Sequence, residues 1–499
     1  MLFLRTLLLL AVCFCLASPV MAAAANPTAI WRVRPSGSNT NGGGYDPGIT
    51  SAGTDYSQQD AAQLSNIGTC TTATTTLTDT GASFTSALIG NGIYVHGTSI
   101  TTTFTFITAV PSSTTLTLQA SPGTAGTAVT YNVGGAWANF WTNTTAAPLV
   151  AGNTVYILGG ASPSYASPDY APSAYFQPLS SVNFIGDPGT PGGNGYSGYP
   201  LIKTPGCLWF EPAGVMIKNL WMFAGGTANA GLSVVLSTNK TSVVNCIYDA
   251  NGKDIGFIYF DGGIGGLILN CEMFSSSSPR SGGAYYQVSV RSSLNALIEG
   301  CNIHDNVGPG ILVSAFSGMI LNNIISNNGG DGIFTSSSTY SSPIIGNTID
   351  GNTGDGIEFN DPTTLSLTAC FNNIISNHVT AATYGIKIDS GTTASNSNLA
   401  VLTNWNGFYN NTTNYYAISA SANDTALASN PYNGQSTEDY SLNLTNISNT
   451  GAYPNAAFPQ HLSGQTTTVQ SYVYPGAVQP YGSTTNVTGP QIYSSGFGL

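Results

Sequence analysis

Two aspartates occupy equivalent positions in neighbouring stretches of the sequence. Asp331 and Asp355 are 24 residues apart, and each is followed directly by Gly-Ile. Two carboxylates held close together repel each other unless one is protonated or a cation lies between them. Glu358 and Asp361 follow shortly after Asp355 and add further oxygens. Such oxygens suit a hard cation, and the pattern predicts a calcium site at Asp331, Asp355, Glu358 and Asp361.

The same acidic residues have a structural interpretation, which the sequence leaves open. An aspartate in a turn often accepts a hydrogen bond from its own backbone. Glu358 also has a possible partner in Lys387, which falls in the equivalent position one repeat further on. If calcium binds, it binds only the folded chain. We then expect it to raise the melting temperature, with an affinity of about millimolar to tenths of millimolar.

A second group of candidate residues lies between Cys271 and Cys301, in the longest unit of a repeat that is described below. Arg280, Tyr285, Tyr286 and Arg291 fall in this one segment, in a chain with only 10 basic residues. Tyrosine side chains suit the face of a sugar, and we predict that these four residues bind substrate. The alternative stays open that each arginine bonds loop carbonyls and packs on a tyrosine.

Histidines and cysteines give weaker signals. His304 beside Asp305 has the composition of an acid–base pair. Neighbours on a strand point to opposite faces, so we expect His304 to be a turn residue instead. Three thiolates in a column, at Cys246, Cys271 and Cys301, would suit zinc. We favour the alternative, in which small apolar side chains stack inside a narrow coil.

These residues lie in or beside a repeat that sets their spacing. A short motif of apolar, polar and small residues recurs seven times, at intervals of 22 to 30 residues. A glycine followed by an apolar residue recurs in phase with it, which indicates a genuine structural repeat. The copies of the first motif are Ile217–Leu220, Val243–Cys246, Ile268–Cys271, Ile298–Cys301, Ile320–Asn323, Ile344–Asn347 and Cys370–Asn373.

The length of the unit indicates the architecture. Each unit contains short β-branched runs broken by Asn, Gly and Ser, without the apolar spacing of a helix. Units of this kind form the coils of a parallel β-solenoid, in which each coil bonds to the next about 4.8 Å away. Equivalent side chains then stack, and buried asparagines can bond the asparagine above and below. We expect one inward-pointing column, made of Cys246, Cys271, Cys301, Asn323, Asn347 and Asn373.

Two of these units, NNIISNNGGDGIF and GNTIDGNTGDGIEF, resemble the right-handed parallel β-helix of the pectate-lyase-like superfamily, in its NosD/copper-binding-like repeat form. The resemblance covers roughly residues 149 to 410 and implies an all-β fold. That fold hosts lyases, hydrolases, epimerases, adhesins and phage tailspikes. In the lyase relatives, which use calcium, an arginine or lysine near the acids removes a proton from a uronate. The resemblance thus makes Arg280 and Arg291 candidate catalytic residues, although no lyase motif accompanies them.

The sequence outside the repeat divides into three regions. Residues 1–25 are predicted to be a signal peptide, with a basic start, an apolar run and small residues before Asn26. Residues 26–148 form a lead-in whose Thr-rich alternating runs predict a small β-domain. The β-helix is expected over residues 149–410. Residues 411–499 are expected to form an irregular cap that protects open strand edges.

Composition narrows the function. Only 6% of the residues are charged, with a net charge of -12, and so few basic residues argue against nucleic acid. No stretch after the signal is apolar enough to cross a membrane. We expect a secreted or cell-surface, non-catalytic protein for adhesion or glycan binding, with an extracellular polysaccharide or cell-surface glycan as partner. The alternative is a calcium-dependent lyase for acidic glycans, which requires the arginines and the acids to share one face.

Overall fold

The structure is a computed structural model of the chain, and it falls into two compact units, residues 1–156 and 157–499. No helix among its described residues is long and apolar enough to cross a membrane. The predicted signal peptide lies outside them. The described residues are 27–70, 74–97, 100, 104–123, 126–140, 149–160, 164, 166–172, 181–187, 199–204, 214–225, 235–237, 240–253, 256–275, 288–314, 317–336, 342–360, 366–389, 399–437, 439–442, 453–454 and 472–473.

The first unit contains a small closed antiparallel barrel. Its six strands, in barrel order, are Leu64–Cys70, Thr76–Thr78, Thr115–Leu118, Phe104–Ser112, Gly92–His96 and Gly126–Val133. In Thr115–Leu118 the leucines are buried and the threonines half-buried, which is the alternation of a strand with one face on a core. The predicted small β-domain is therefore confirmed. Other bounds are the strands Ile30–Val33, Gly44–Tyr45 and Thr154–Leu158 and the 3-10 helix Ser86–Leu88.

The second unit is a solenoid of three parallel sheets. Sheet 1 contains Asn183–Asp187, Met216–Lys218, Ser242–Val244, Leu267–Leu269, the end of Val288–Glu299, Ser317–Leu321, Ile344–Ile345, Ser366–Phe371 and Leu399–Asn404. Sheet 2 contains Leu201–Thr204, Trp221–Ala224, Ile247–Asp249, Glu272–Phe274, Asn302–His304, Ile324–Ser326, Thr348–Asp350, Ile374–Ser376, Gly407–Tyr409 and Thr425–Ala426. Sheet 3 contains Val235–Ser237, Ile258–Ile264, the start of Val288–Glu299, Ile311–Ser314, Ile333–Thr335, Ile357–Asn360, Tyr384–Asp389 and Thr413–Tyr416.

The register of the sheets confirms the first sequence motif. Val243, Ile268, Ile298 and Ile320 pair in succession along sheet 1, as the repeat predicts. The second motif is in register from Gly310 onward but not before. The motif copy Gly256-Phe257 predicts that Phe257 is in register with Ile311. The structure instead pairs Ile258 with Val288, and Val288 with Ile311. The predicted domain boundaries at 148 and 410 remain predictions, and the strand stacking of sheet 2 runs on to Thr425–Ala426.

Each coil turns from sheet 1 to sheet 2 through a residue with left-handed backbone. Asn270, Asn322 and Asn372 adopt φ of 53°, 53° and 56°, and glycines do so in other coils, such as Gly300 at 68°. Asparagine and glycine are the residues that tolerate this conformation most readily. The repeated Asn or Gly of the motif is therefore the residue that makes the corner, and the residue after it points into the core.

The predicted inward column lies at this corner. Cys246, Cys271 and Cys301 are buried, and each sulfur is within hydrogen-bond distance of two backbone carbonyls. Each cysteine directly precedes a strand of sheet 2. All are free thiols. Within the described part of the chain, three mutually close ligand atoms occur only in an acidic group, and the three cysteines are not such a group.

Asparagines continue the column as a hydrogen-bonded ladder. The side-chain oxygen of Asn347 accepts bonds from the backbone N–H (2.9 Å) and the amide (3.0 Å) of Asn323. Asn347 donates to Asn373 in the same way, and Asn373 to Asn406. The last member is Asp424, whose Oδ1 accepts both bonds from Asn406.

A second ladder lies at the corner between sheets 2 and 3. Asn306 donates to Asn328, and Asn328 donates to Asn352 (2.9 Å between Nδ2 and Oδ1). The next member is His378, followed by Asn411. Stacked polar side chains therefore bond one another and the backbone at two of the corners, while the strands between them present isoleucine and valine to the core.

Part of the predicted C-terminal cap region packs on the outside of the solenoid. A hairpin of Tyr432–Gly434 and Asp439–Leu442, joined by the 3-10 helix Gln435–Thr437, covers the buried carboxylate of Asp350. Gln435 and Tyr440 both donate to that carboxylate, at 2.5 and 3.3 Å. The hairpin therefore covers the outer face of sheet 2 at this coil. A further strand pair is Tyr453–Pro454 with Tyr472–Val473.

Candidate functional site

Three of the four predicted calcium ligands come together. One side-chain oxygen from each of Asp331, Asp355 and Glu358 lies within 4.8 Å of the others. The two aspartates precede the sheet 3 strands of successive coils, and Glu358 is on the second of those strands. Asp355 and Glu358 are buried, with exposures of 4% and 7%. The fourth predicted ligand, Asp361, lies outside the described residues.

The aspartates also hold the coils together. Oδ1 of Asp331 accepts the backbone N–H of Asp355 at 2.7 Å, and Oδ1 of Asp355 accepts the backbone N–H of Tyr384 at the same distance. Each aspartate thus bonds the backbone of the next coil, and not its own backbone as the structural interpretation assumed. Oδ1 of each aspartate is therefore occupied, Oδ2 of Asp355 faces Nζ of Lys387, and Oδ2 of Asp331 remains for a cation or a ligand.

Lys387 supplies a positive charge inside the cluster. Its Nζ lies 3.3 Å from Glu358 Oε1, 3.4 Å from Asp355 Oδ2 and 3.2 Å from Asp389 Oδ2. The predicted pairing with Glu358 is confirmed by the register of the two strands. The contact with Asp355 was not predicted, because the sequence places Lys387 in the column of Glu358. One ammonium group thus faces four carboxyl groups, including Asp331 nearby.

The three carboxyl groups of the cluster have raised pKa values. Burial and then the charge of Glu358 raise the pKa of Asp331 to about 7. Burial likewise raises the pKa values of Asp355 and Glu358, although the charge of Lys387 opposes the shift. Burial lowers the pKa of Lys387, but Glu358 and Asp355 outweigh it and raise that pKa overall. Because the fold binds the Asp331 proton more tightly than the unfolded chain, Asp331 destabilises the fold as pH rises from about 4 to about 7.

Aromatic and polar side chains extend the cluster along the outer face of sheet 3. Phe334, Glu358, Lys387 and Tyr416 pair in succession, and Asn360 pairs with Asp389 beside them. Tyr416 is 47% exposed and packs on Tyr384, with ring centroids 4.7 Å apart. We call this set of residues the sheet 3 face.

The second group of predicted residues is only partly described. Arg280, Tyr285 and Tyr286 lie outside the described residues. The backbone of Arg291 is in sheet 3 and pairs with Ser314. Successive pairings place Arg291 three coils before Asn360 in the same column, at about 14 Å along the solenoid axis. The arginine and the acids therefore share one sheet, at a separation of several strands.

Sequence reasoning misjudged one constellation. Asp305 has φ of 52° and so ends the strand, which lets its carboxylate turn back to His304. The His304 Nδ1 to Asp305 Oδ2 distance is 2.9 Å, and His304 Nε2 lies 3.4 Å from Glu272 Oε1. The argument that neighbours point to opposite faces was therefore wrong here. A left-handed Asp or Asn follows several strands of sheet 2, and that recurrence was the available signal.

The comparisons with known proteins agree with this geometry. Residues 234–430 match the family described as right handed beta helix region. The protein contains a right-handed parallel β-helix. This match confirms the fold that the resemblance implied. The sheet 3 face lies within the matched residues. None of the curated proteins matches the sequence.

Several solved structures are similar to this chain at low identity. The pectate lyase Pel9A has 13% identity and a TM-score of 0.38, over 59% of this chain and 78% of that one. The periplasmic alginate epimerase AlgG has 11% identity and a TM-score of 0.30, over 54% of this chain and 75% of that one. A GH87 alpha-1,3-glucanase from Streptomyces thermodiastaticus has 13% identity and a TM-score of 0.32, over 70% of this chain and 65% of that one. No residue role is carried over from them.

Proposed function

We propose that the protein is a secreted, non-catalytic β-helix protein that binds an extracellular or cell-surface glycan on the sheet 3 face. The observation that carries the proposal is the exposed ring of Tyr416, packed on the half-buried Tyr384, together with hydrogen-bonding groups on adjacent strands. Aromatic rings pack on the apolar face of a sugar, and Asn360 and Asp389 can bond its hydroxyls.

The electrostatics of the cluster favour binding over elimination. A lyase base must give up its proton before it can take one from the substrate. Lys387 is held as an ammonium by Glu358, Asp355 and Asp389. The backbone of Arg291, the described one of the two candidate arginines, is two coils from Asp331 and three from Glu358, which is about 10 and 14 Å along the axis. These features support a binding protein, and the lyase remains the alternative.

A glycan array with the secreted chain tests the proposal. We expect binding to at least one polysaccharide, weakened about tenfold by Tyr416→Ala and by Asp389→Asn, which corresponds to about 1.4 kcal/mol. Val379→Ala, at a 62% exposed valine outside this face, is the matched control and should bind normally. Absence of binding to any glycan, or release of unsaturated products from acidic glycans, would contradict the proposal.

We further propose that calcium binds at Asp331, Asp355 and Glu358, with Asp361 as the predicted fourth ligand. The donor set fits, because the three residues bring oxygens within 4.8 Å of one another and the carboxylates outnumber the one ammonium of Lys387, with which calcium would share Asp355 and Glu358. Calcium would supply charge neutralisation between coils. We expect millimolar calcium to raise the melting temperature relative to chelator.

A pair of variants separates this site from general ionic effects. Asp331→Asn combined with Asp355→Asn should abolish the calcium response, since amides keep the backbone hydrogen bonds and lose the charge. Asp60→Asn removes an exposed carboxylate of the first unit and should leave the response intact. Identical melting curves with calcium and with chelator would show that the aspartates serve only the backbone.

A further inference from the structure

The outer face of sheet 1 is apolar along most of its length. Two columns of side chains point outwards, on either side of the buried column that faces the core. One column contains, in order of coil, Val244, Leu269, Glu299, Leu321 and Ile345. The other contains Leu267, Leu297 and Met319 in succession, with Leu402 further along. We call this set of residues the sheet 1 face, and Glu299 is the one charged residue in it.

These side chains keep an exposure that residues under a covering segment lose. Met319 is 43% exposed and Leu402 51%, and the other members of the set are half-buried. The outward residues of sheet 2 that lie at the hairpin of Tyr432–Gly434 and Asp439–Leu442 differ, since Thr348 and Ser376 are fully buried. No part of the described chain therefore covers the sheet 1 face as the hairpin covers sheet 2.

The dimensions of the sheet 1 face suit an extended chain. Six steps of about 4.8 Å from the coil of Val244 to that of Leu402 make it about 29 Å long. Two columns about 7 Å apart make it about 14 Å wide with their side chains, or roughly 400 Å² in area. A stable interface between folded proteins buries about 800 Å² on each side. The strip is thus large for an apolar surface left in water and small for a folded partner.

A second copy of the chain fits this face poorly. In a two-fold dimer the same face meets itself. If the solenoid axes run parallel, Glu299 lies against its own counterpart. If they run antiparallel, Glu299 can pair across the interface with Lys218, which is three coils earlier in its column. That overlap is centred between Lys218 and Glu299, and it leaves the exposed Leu402 outside.

The C-terminal segment matches the face in its chemistry. Residues 440–499 contain no Asp, Glu, Lys or Arg, whereas 6% of the whole chain is charged. Such a segment can lie on an apolar sheet without the cost of removing a charge from water. Its last part supplies apolar side chains as well, at Val478, Val487, Ile492 and Phe497.

The connectivity of the chain selects residues 474–499 within that segment. Tyr453 pairs with Val473 in an antiparallel strand pair, so the residues between the two strands must return to their starting point. The residues after Val473 carry no such constraint. In extended conformation they span about 85 Å, which is about three times the length of the sheet 1 face.

We propose that residues 474–499 run along the solenoid axis on the sheet 1 face and bury it, with apolar side chains against Met319, Leu321 and Leu402. The segment then covers sheet 1 as the hairpin covers part of sheet 2. Burial of apolar surface on both sides stabilises this arrangement. The sheet 1 face is separate from the sheet 3 face, so this inference does not depend on glycan or calcium binding.

Photo-crosslinking in the full-length secreted chain tests the inference. A benzophenone amino acid in place of Met319 should join, on irradiation, to peptides from residues 474–499 of the same molecule, as mass spectrometry of a chymotryptic digest identifies. The same probe in place of Val379 is the matched control, because that side chain is 62% exposed and outside the sheet 1 face. It should give no product with residues 474–499.

Proteolysis of the folded protein provides a second readout. Met319→Lys combined with Leu402→Lys places two charges on the face without touching the core. Chymotrypsin cleavage after Tyr481, Tyr493 and Phe497 should then become at least about tenfold faster than in the wild type, because the cleavage rate follows the population of the released segment. Circular dichroism shows whether the double variant keeps the fold.

Three results would overturn the proposal. A cross-linked product of twice the chain mass would assign the face to a second copy. A probe at residue 319 that gives no product with residues 474–499 would show an open face. Equal cleavage rates in the wild type and in the folded double variant would show that the segment lies elsewhere.

Discussion

Asn347→Leu is expected to lower the free energy of unfolding by about 3 kcal/mol. Leucine has as many side-chain heavy atoms as asparagine and a larger volume, so the loss comes from hydrogen bonds and crowding and not from a cavity. The substitution leaves the backbone N–H of Asn323 and one N–H of its side-chain amide without an acceptor. Both groups are fully buried, and each buried group without a partner costs about 1–3 kcal/mol. Chemical denaturation of the secreted chain measures the change.

The choice of control matters for this experiment. Asn410 follows the predicted repeat, but its φ of 52° would strain leucine whatever it contacts. Asn423 is the better control, because it is exposed and its amide bonds Asn404 at the surface. Asn423→Leu should change the stability by less than about 1 kcal/mol. Similar losses for the two variants would remove the ladder as an explanation.

His378→Asn is expected to make the protein more resistant to acid. Burial lowers the pKa of His378 to about 4. The neutral ring donates from Nδ1 to Asn411 and accepts at Nε2 from Asn352, whereas a second proton would set two donors against each other. The folded state therefore binds this proton less tightly than the unfolded chain. Stability from the neutral ring is present above about pH 6.5 and is lost as the pH falls towards 4.

The expected difference between the variants follows from the pKa shift. At about 1.4 kcal/mol per pKa unit, the wild type loses roughly 3 kcal/mol at this residue between pH 6.5 and 4, and the asparagine variant loses none of it. Asparagine is the residue at the equivalent positions of the ladder, at Asn328 and Asn352. Urea unfolding at pH 8 and at pH 4 measures how much stability each protein loses in acid, and the two losses are then compared. An equal acid loss in both proteins would show that His378 is not the sensitive group.

The fold was predictable because two separate sequence patterns repeat with the same period. Corner asparagines and inward isoleucines obey different physical constraints, the left-handed backbone and the narrow core, and the two recur in phase. Register in a parallel stack then follows from the motif alone, as the pairing of Ile298 with Ile320 shows. The glycine motif did not predict the register of Ile258, because one extra residue, Phe257, stands between Gly256 and the residue that pairs.

The candidate site was predictable only as far as strand register reaches. Register places Glu358 beside Lys387 and the two aspartates in one column. It does not give the reach of a lysine side chain, which is long enough for Nζ to contact Asp355 as well. The cluster of His304 was missed for a related reason. Its geometry depends on the backbone angle of Asp305, which a strand alternation rule does not contain.

The asparagine ladder gives the solenoid a polarity along its length. Every amide in it donates one N–H to the next side chain towards the C-terminal end and the other to a backbone carbonyl of the preceding coil. Every side-chain oxygen accepts from the preceding coil, so the side-chain dipoles add, and the last acceptor is a carboxylate instead of an amide. Asp424 receives the two bonds of Asn406 on one oxygen, and those of Tyr415 and Ser421 on the other. It has no proton to pass on. A further coil, whether from an engineered repeat or from another molecule, would find no donor at this corner and a negative charge in its place. Stacking of a further coil on this corner is therefore disfavoured, in the way that a charge on an edge strand disfavours edge-to-edge pairing of β-structures.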